Sequence, residues 1–482
     1  MVQRRSRLIG SSIGGQLAAS LQALRRALDL PDGYPADAQA EAERAADTVP
    51  VAPSASGLAD LRDIPFLTID PAGSTDLDQA LHLERTASGA ILHYAIADVP
   101  AFVSAGGALD AETRRRGQTL YAPDGRIPLH PGVLGDGAAS LLPGRVRRAF
   151  VWRFVLDDGA RPVETTLTRA VVRSRRQWSY VDAQRAIDAG DAPATLLALP
   201  WFGAARADRE RERGGASLNL PETRVVSPPA GEPGEYALDR SDGVPLEDWN
   251  ADVSLLTGMA AAQIMIDGRI GILRTMPPAA AEDVASFRSQ TVALGMPWAP
   301  EVAYGDYLRG LDRSPVARVV REYAAALFRG AGYTTFDGDV PTETMQAAIG
   351  APYAHTTAPL RRLVDRWSLV ICDALANGRE VPEWTRSSLA GLPSAMARSA
   401  AVAGRLDAGS IDRIEAALLA GHEGEVFDAL VLNVRGTTAR VQIDRPPVEA
   451  TVTGLDAAPG TSAALRLLAA SVPDGTIAFA PA

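Results

Sequence analysis

The sequence predicts an α+β protein that has a large central domain of mixed sheet and helices. Three observations support this fold class. Residues 1–57 contain two stretches with helical apolar spacing and then a linker of small residues. Residues 58–420 mix β-branched runs with long helical patterns. Residues 421–482 consist of short β runs separated by Gly, Pro and Asp, which is typical of a small β-barrel.

The composition is that of a folded chain without disulfides. A length of 482 residues suffices for a large core and one or two small domains. No apolar run is long enough to span a bilayer, and the N-terminus is too polar for a signal peptide. The single cysteine, Cys372, excludes an internal disulfide and a cysteine-based zinc site, so we expect a cytoplasmic protein.

The charge balance limits how the protein can bind nucleic acid. A net charge of −10 argues against non-specific coating of a polyanion, although it leaves room for a narrow basic channel. All 48 basic residues other than His are arginine. Codon bias in a GC-rich genome is one explanation, and the match of the guanidinium to phosphate is another.

Three carboxylates follow the end of one predicted strand. An apolar run at residues 66–69 ends on Asp70, and a Pro/Gly/Ser loop then leads to Asp76 and Asp78. Crowded carboxylates need a cation, arginine partners or open water, and hard oxygen ligands suit Mg²⁺. A solvated acidic turn is the alternative, while the spacing does not fit an EF-hand loop.

The pattern TID-x5-D-L-D-x-A around these residues resembles the acidic signature of the ribonuclease II / ribonuclease R family, which carries the RNB domain. The resemblance implies that Mg²⁺, or Mn²⁺ as an alternative, is bound by Asp70, Asp76, Asp78 and the next residue. The family has Asp at this fourth position, whereas this chain has Gln79. An amide oxygen can coordinate a metal but brings no charge. Asp78 is the carboxylate expected to be indispensable.

A second stretch, APYAHTTAPLRRLVDRW at residues 351–367, resembles the family motif HFTSPIRRYxD. The resemblance implies that Arg361 is required for cleavage and stabilises charge on the phosphoryl oxygens. It also places Arg362 and His355 at the RNA. Without the acidic loop, an Arg-Arg pair would indicate only a charged surface.

The local sequence predicts that a helix begins at Pro359, with Thr357 as its cap. Arg361 and Arg362 would then lie in the first turn, where free backbone N–H groups favour an anion.

Two tyrosines are the candidate RNA contacts. Tyr121, in TLYAPDGRIPLHP, matches a family tyrosine that stacks on a base near the 3′ end, and the alternative is packing within a turn. Tyr180 follows three arginines and Trp178, and it matches a tyrosine that contacts the terminal ribose. We expect His130 to be structural and Asp98 to cap the turn that follows it, and the alternative for Asp98 is a fourth metal carboxylate.

Residues 221–245 are rich in Pro and Gly and predict a long loop, and the apolar spacing from Leu246 onward predicts a helix. This helix resembles one that carries a Glu-Glu pair in the family, where an acid binds the ribose 2′-hydroxyl. Those positions fall on Ala251 and Asp252, so only Asp252 could act, and discrimination against DNA depends on that contact. The charge-mixed run at residues 206–213 predicts an exposed helix face.

The flanking segments differ from ribonuclease II. Residues 1–57 are too short for the paired cold-shock barrels that precede the catalytic domain there. Residues 421–482 resemble an S1-type OB barrel, poor in aromatic and basic residues, that packs on the core.

Together, the motifs resemble those of a magnesium-dependent 3′-to-5′ exoribonuclease that hydrolyses single-stranded RNA to nucleoside 5′-monophosphates. We expect no membrane partner, and we favour a monomer. A catalytically weakened RNA-binding relative and a nuclease that also acts on DNA are the alternatives.

Overall fold

The computed structural model describes residues 11–53, 57–216, 222–226, 237–241 and 243–482. For residues 222–226 and 237–241 the description covers the backbone alone. None of the helices in the described ranges is long and apolar enough to cross a membrane.

The described part of the chain combines helices and strands up to residue 419 and contains only strands afterwards. The helices are α1 Ser11–Ala27, α2 Ala36–Thr48, α3 Ala108–Arg116, α4 Tyr180–Ala189, α5 Ala194–Arg213, α6 Pro245–Asp267, α7 Ala281–Ala293, α8 Tyr304–Gly310, α9 Pro315–Ala325, α10 Leu363–Ala376, α11 Glu383–Ser388 and α12 Leu392–Leu419. The strands are β1 Ala59–Asp60, β2 Leu67–Asp70, β3 Gln79–Thr86, β4 Gly89–Ala97, β5 Leu120–Ala122, β6 Gly125–Ile127, β7 Val146–Leu156, β8 Pro162–Arg173, β9 Arg176–Ser179, β10 Glu222–Val226, β11 Ala237–Ser241, β12 Ile270–Thr275, β13 Gly332–Asp337, β14 Met345–Gln346, β15 Ala351–Pro352, β16 Val426–Arg435, β17 Thr438–Asp444, β18 Pro447–Thr453, β19 Ser462–Ser471 and β20 Thr476–Pro481.

A seven-stranded sheet within the described ranges organises the central domain, with the order β1-β8-β7-β4-β3-β2-β9. Strand β2 pairs with β9 in parallel and with β3 in the antiparallel direction. The parallel register sets Asp70 opposite Ser179, the residue that precedes Tyr180. Two residues that are far apart in the sequence therefore end neighbouring strands at the same edge of the sheet.

The two faces of this sheet carry side chains of different size, because successive residues of a strand point to opposite faces. One face presents bulky residues such as Leu83, Leu92 and Trp152, and it packs against α5, α6 and α10. The other face presents alanines, including Ala80 and Ala95, and packs against α2 and α3. The sheet is thus buried on both sides.

The C-terminal domain is a five-stranded antiparallel sheet, ordered β18-β17-β16-β19-β20, that curls into a nearly closed barrel. Its core begins with Leu419 at the end of α12. Leu430 and Leu432 on its outer side pack against Val319 of α9. This barrel is anchored on the rest of the chain, as its sequence predicts.

The predicted fold class is confirmed, and two local predictions are wrong. The loop expected at residues 221–245 contains strands β10 and β11, which pair as a hairpin, while residues 227–236 lie outside the described ranges. The helix expected from Pro359 begins only at Leu363, after a turn. The linker predicted at residues 48–57 falls partly outside the described residues, as does the polar N-terminus.

Candidate active site

The acidic loop, residues 71–79, joins β2 to β3, includes the first residue of β3, and is held by hydrogen bonds to the segment around residue 140. The Leu77 amide donates to Ser140 Oγ at 2.9 Å, and Ser140 Oγ donates to the Thr75 carbonyl at 2.7 Å. The Leu141 amide donates to the Leu77 carbonyl at 2.9 Å. These bonds compensate the backbone groups that a non-helical, non-sheet segment leaves unpaired, so the loop has one defined shape.

Asp78 connects the acidic loop to the Arg361 turn, which we define as residues 357–362. Its Oδ1 accepts the Leu360 amide at 2.7 Å, and its Oδ2 accepts Arg361 Nε at 2.8 Å. The Asp78 side chain is only 2% exposed, whereas that of Arg361 is 43% exposed. The structure therefore brings together two predicted residues that lie 283 positions apart.

Two carboxylates of the site are held in an environment that opposes their charge. Burial raises the pKa of Asp78 to about 7, although the Arg361 charge works in the opposite direction. Burial likewise raises the pKa of Asp70 to about 6, and the charge of Asp76 adds to the shift. The Asp70 Oδ2 atom is buried without a hydrogen-bond partner. An unpaired buried carboxylate oxygen marks a place where positive charge is missing.

Arg126 neutralises Asp76, and the sequence interpretation missed it. Its Nη1 lies 2.6 Å from Asp76 Oδ2, and its Nη2 pairs with Asp136. Strands β5 and β6 set Arg126 directly opposite Tyr121. The signal was available, because a Pro-Asp-Gly turn between two short runs predicts a hairpin that brings these two residues to one place.

Gln79 is held in a hydrogen-bond network of the protein. Its Nε2 donates to the Thr357 carbonyl at 2.6 Å, and its Oε1 accepts the Tyr94 hydroxyl at 2.8 Å. The Tyr94 hydroxyl also lies 2.8 Å from Ser254 Oγ on α6. Gln79 was expected to act as the fourth metal ligand, but its amide instead links the acidic loop to the Arg361 turn and to α6.

Tyr180 begins α4 and lies beside both Asp70 and α6. Ser179 caps this helix by accepting the Asp182 amide at 3.0 Å. The Tyr180 hydroxyl accepts a hydrogen bond from Asn250 Nδ2 at 3.1 Å. Asn250 and Ser254, one turn apart on α6, therefore both face the site.

Asp252 lies elsewhere, which contradicts the expectation that it approaches the ribose with Tyr180. Its electrostatic partners are Arg206, Glu210, Asp248 and Arg213, and burial raises its pKa to about 7. A residue two positions after Asn250 lies on a different face of an α-helix, because each residue turns the helix by about 100°. The predicted residue, Asp252, therefore lies about half a helical turn away from the face of α6 that carries Asn250.

Arg361 and Tyr121 share the wall of a cavity of about 460 Å³. Residues 118–121, the Arg361 turn and α12 enclose it, and α12 contributes Ala403, Gly404 and Asp407. Tyr121 is 55% exposed, so its ring is available at the surface of this space. The opening leads to the guanidinium that Asp78 holds.

Arg362 and His355 are bound to other parts of the protein. Arg362 is the residue before α10, and its Nη2 lies 2.9 Å from Asp365 Oδ2. Thr357 does not cap this helix; instead Asp365 accepts the Ala358 amide at 2.7 Å and stabilises the turn. His355 Nδ1 lies 2.7 Å from the Tyr333 hydroxyl. Burial and the neighbouring arginines lower the pKa of His355 well below its usual value.

Asp98 and His130 both have structural partners. Asp98 makes no side-chain cap, contrary to the expectation, and is paired with Arg148 at 3.1 Å and Arg169 at 2.6 Å. His130 Nδ1 lies 3.1 Å from the Leu360 carbonyl, so it supports the Arg361 turn as a structural residue.

The acidic residues fit a magnesium ion only in part. Within the described ranges, no three His, Cys, Asp or Glu side chains form a group that could hold a metal. Asp78 has both oxygens engaged by donors, so it offers the least to a cation. Asp70 offers a buried, unpaired oxygen, and the charge of Asp76 reaches it. Mg²⁺ takes one or two carboxylates and keeps several waters, which matches Asp70 and Asp76.

Two family models match the chain, the RNB domain over residues 58–372 and the RNase II-type exonuclease C-terminal S1 domain over residues 425–482. The chain therefore belongs to the RNB-domain family, as its two motifs predicted.

Curated relatives include ribonuclease R of Acidithiobacillus ferrooxidans, 37% identical over 163 residues, or 34% of this chain and 37% of that protein. Ribonuclease R of Escherichia coli is 26% identical over 377 residues, or 74% of this chain and 45% of that protein. The chain thus spans less than half the length of these relatives.

Solved structures share the fold. The apo form of Mycoplasma genitalium RNase R has a TM-score of 0.85 at 16% identity, covering 97% of this chain and 78% of that one. Yeast Ssd1, a pseudonuclease, has a TM-score of 0.72 at 17% identity, covering 91% of this chain and 56% of that one.

Proposed function

We propose that this protein is a cytoplasmic exoribonuclease that hydrolyses single-stranded RNA from the 3′ end and releases nucleoside 5′-monophosphates. Membership of the RNB family and the names of the curated relatives, ribonuclease R among them, support the reaction class. A structural neighbour, Mycoplasma genitalium RNase R, has been solved in complex with ribose methylated single-stranded RNA, which supports the substrate class. The dependence on Mg²⁺, with Mn²⁺ as an alternative, is part of the proposal.

The observation that carries this proposal is the contact between Arg361 and Asp78 at the wall of the 460 Å³ cavity. Asp78 accepts Arg361 Nε, and the Arg361 side chain is still 43% exposed, so its guanidinium can be reached from the cavity. A guanidinium held in this way is preorganised to stabilise negative charge on a phosphoryl oxygen. Because the position of Arg361 is set before substrate arrives, little reorganisation is needed during the reaction.

Asp70 and Asp76 are the residues that would hold the metal ion. When bound, a divalent ion supplies an activated water and neutralises phosphate charge. Its charge would also compensate the burial of Asp70, whose ionised form the protein alone disfavours. Asp78, in this scheme, is a positioning residue that acts through Arg361 and the Leu360 amide.

Tyr121 and Tyr180 are the proposed RNA contacts. Tyr121 offers an exposed ring on the cavity wall, and a ring can stack on any base without reading sequence. Tyr180 lies next to Asp70 through the β2–β9 register, and Asn250 orients its hydroxyl. We propose that Tyr180 and Asn250 together contact the terminal ribose, in place of Asp252.

A second candidate function is RNA binding without hydrolysis. It is favoured by Gln79, whose amide is engaged by Thr357 and Tyr94 where the family has a fourth acid. A fold shared with yeast Ssd1, a pseudonuclease, is compatible with this alternative.

The test uses the purified chain with short 5′-labelled RNA or DNA, with Mg²⁺, with Mn²⁺ or with a chelator. We expect the RNA to shorten from its 3′ end with release of nucleoside monophosphates, and the chelator to stop the reaction. Asp78→Asn should abolish shortening while RNA is still bound. Asp158→Asn is the matched control, because Asp158 is 75% exposed and pairs with Arg85, which is not a residue of the candidate site.

The outcomes separate the alternatives. Retention of intact RNA by the wild-type protein in both metals would establish the binding function and exclude the exoribonuclease. Equal shortening of DNA would assign a broader nuclease. Full activity in Asp78→Asn would contradict the role given to the Asp78–Arg361 contact.

A further inference from the structure

A second cavity, the α5–α6 cavity, lies between helices α5 and α6 and the start of β8, and none of its lining residues belongs to the acidic loop. Its volume of about 520 Å³ is in the range of small-molecule sites. One wall is aliphatic and is formed by Leu256, Met259 and Ile264 of α6. An apolar body of moderate size would fit against this wall.

The opposite wall carries an excess of positive charge. Arg161, Arg206, Arg209 and Arg213 line the cavity with a single carboxylate, Glu212. The two oxygens of Glu212 are taken by Arg161 at 2.9 Å and Arg209 at 2.8 Å. Two arginines are therefore left without a carboxylate partner in the lining.

Asp252 lies near these two arginines without lining the cavity. Its charge reaches Arg206 and Arg213, and the neighbouring Glu210 is shared with Arg309 at 3.6 Å. Four arginines stand against Glu212, Asp252 and Glu210, whose charge also acts on Arg213, so the net excess is one positive charge.

Arg206 is the most unusual member of the cavity. It is 4% exposed, and its Nη1 donates to the Ala160 carbonyl at 3.2 Å. Its Nε is buried without a hydrogen-bond partner. A buried guanidinium is costly unless its charge and donors are satisfied. Burial lowers the pKa of Arg206 to about 10, which still leaves it charged at neutral pH.

We propose that the α5–α6 cavity binds a small amphipathic anion, whose carboxylate or phosphate head group meets Arg206 and Arg213 while an aliphatic body lies along Leu256, Met259 and Ile264. The head group would satisfy the unpaired Nε of Arg206. The cavity lining contains no aromatic side chain on which a nucleobase could stack, so an acyl or alkyl chain fits better than a nucleotide.

The experiment is calorimetric titration of the full chain with decyl phosphate and decanoate, below their micelle concentrations, and with AMP and inorganic phosphate. We expect one equivalent of an amphiphile to bind and phosphate alone to bind far more weakly. Arg206→Met keeps the apolar volume and removes the charge, so affinity should fall by about tenfold or more. Met259→Trp should block the body of the ligand. Arg185→Met is the control, because Arg185 is 72% exposed and paired with Asp182.

Several results would overturn the proposal. These are no binding of either amphiphile to the wild-type protein, equal binding to Met259→Trp, and tighter binding of AMP than of decyl phosphate. If circular dichroism shows that Arg206→Met is unfolded, Met259→Trp decides alone. RNA hydrolysis by Met259→Trp should match that of the wild-type protein, so failure here leaves the proposed function unaffected.

Discussion

Gln79 joins three parts of the candidate site, and Gln79→Glu tests whether that connection matters. Glu has the same length and can still accept the Tyr94 hydroxyl, which lies 2.8 Å from Gln79 Oε1. A carboxylate cannot donate to the Thr357 carbonyl, which the Gln79 amide does at 2.6 Å. The substitution therefore removes one bond between the acidic loop and the Arg361 turn, and it adds a negative charge beside Asp78.

The magnitude follows from the burial of the group that loses its partner. Thr357 is 4% exposed, so its carbonyl has little access to replacement water. Leaving a buried acceptor unpaired costs about 1–3 kcal/mol. The added carboxylate acts in the same direction, because Asp78 already lies where burial disfavours its charge. Local opening of the Arg361 turn should become about 5- to 150-fold more frequent.

Hydrogen exchange measured by mass spectrometry on the peptide that contains Leu360 reports this opening, because its amide donates to Asp78. We expect faster exchange there and slower RNA hydrolysis in Gln79→Glu. Gln79→Asp should behave alike, since its shorter side chain cannot span the same distance. Gln39→Glu, on the surface of α2, controls for the added charge. Unchanged exchange together with equal or faster hydrolysis in Gln79→Glu would refute the connection.

Three further substitutions test other parts of the structure. Arg126→Gln removes the cation 2.6 Å from Asp76, so the Mg²⁺ concentration that half-saturates RNA hydrolysis should fall, and a rise would contradict the proposed metal site. Burial raises the pKa of Glu415 from 4.5 to about 8. The free energy of unfolding should therefore decline by about 5 kcal/mol as pH rises through this window, and denaturation of Glu415→Gln should lack that decline. A Cβ on Gly258 would overlap Tyr353 and lie 2.6 Å from the Ala354 carbonyl, so Gly258→Ala should lower the free energy of unfolding by about 1–3 kcal/mol in the same assay.

The fold could be predicted where a residue pattern is compatible with only one type of secondary structure. The apolar run that ends on Asp70 predicts a buried strand, and β2 is that strand. The Pro359 helix start was not predictable, because a tertiary contact overrides the local preference. The Leu360 amide donates to Asp78 of the acidic loop at 2.7 Å. This bond holds residues 359–361 in a turn, so α10 begins only at Leu363. Local propensity carries no information about that partner.

The site was predictable as far as motifs in register could show it. The pairing of Arg361 with the acidic loop required two distant motifs, and the contact with Asp78 is 2.8 Å. The prediction that Asp252 contacts the ribose was wrong because the sequence does not show which face of α6 turns toward the sheet. The prediction that Arg206 is exposed was wrong for a related reason. Its charge-mixed run predicted a solvated face, yet the first residue of that run is buried against α6.

In the proposed mechanism, two kinds of cation compensate the acidic residues of the candidate site. Arg361 compensates Asp78 directly, and its charge reaches Asp70 only at longer range. Asp70 therefore keeps a buried oxygen that no side chain in the described part of the protein satisfies. Because a second arginine at Asp70 would compete with the phosphate for space and charge, a small hydrated ion is the better partner there. In the proposed arrangement Arg361 supplies a fixed positive charge, and a metal ion at Asp70 would supply one that can be exchanged.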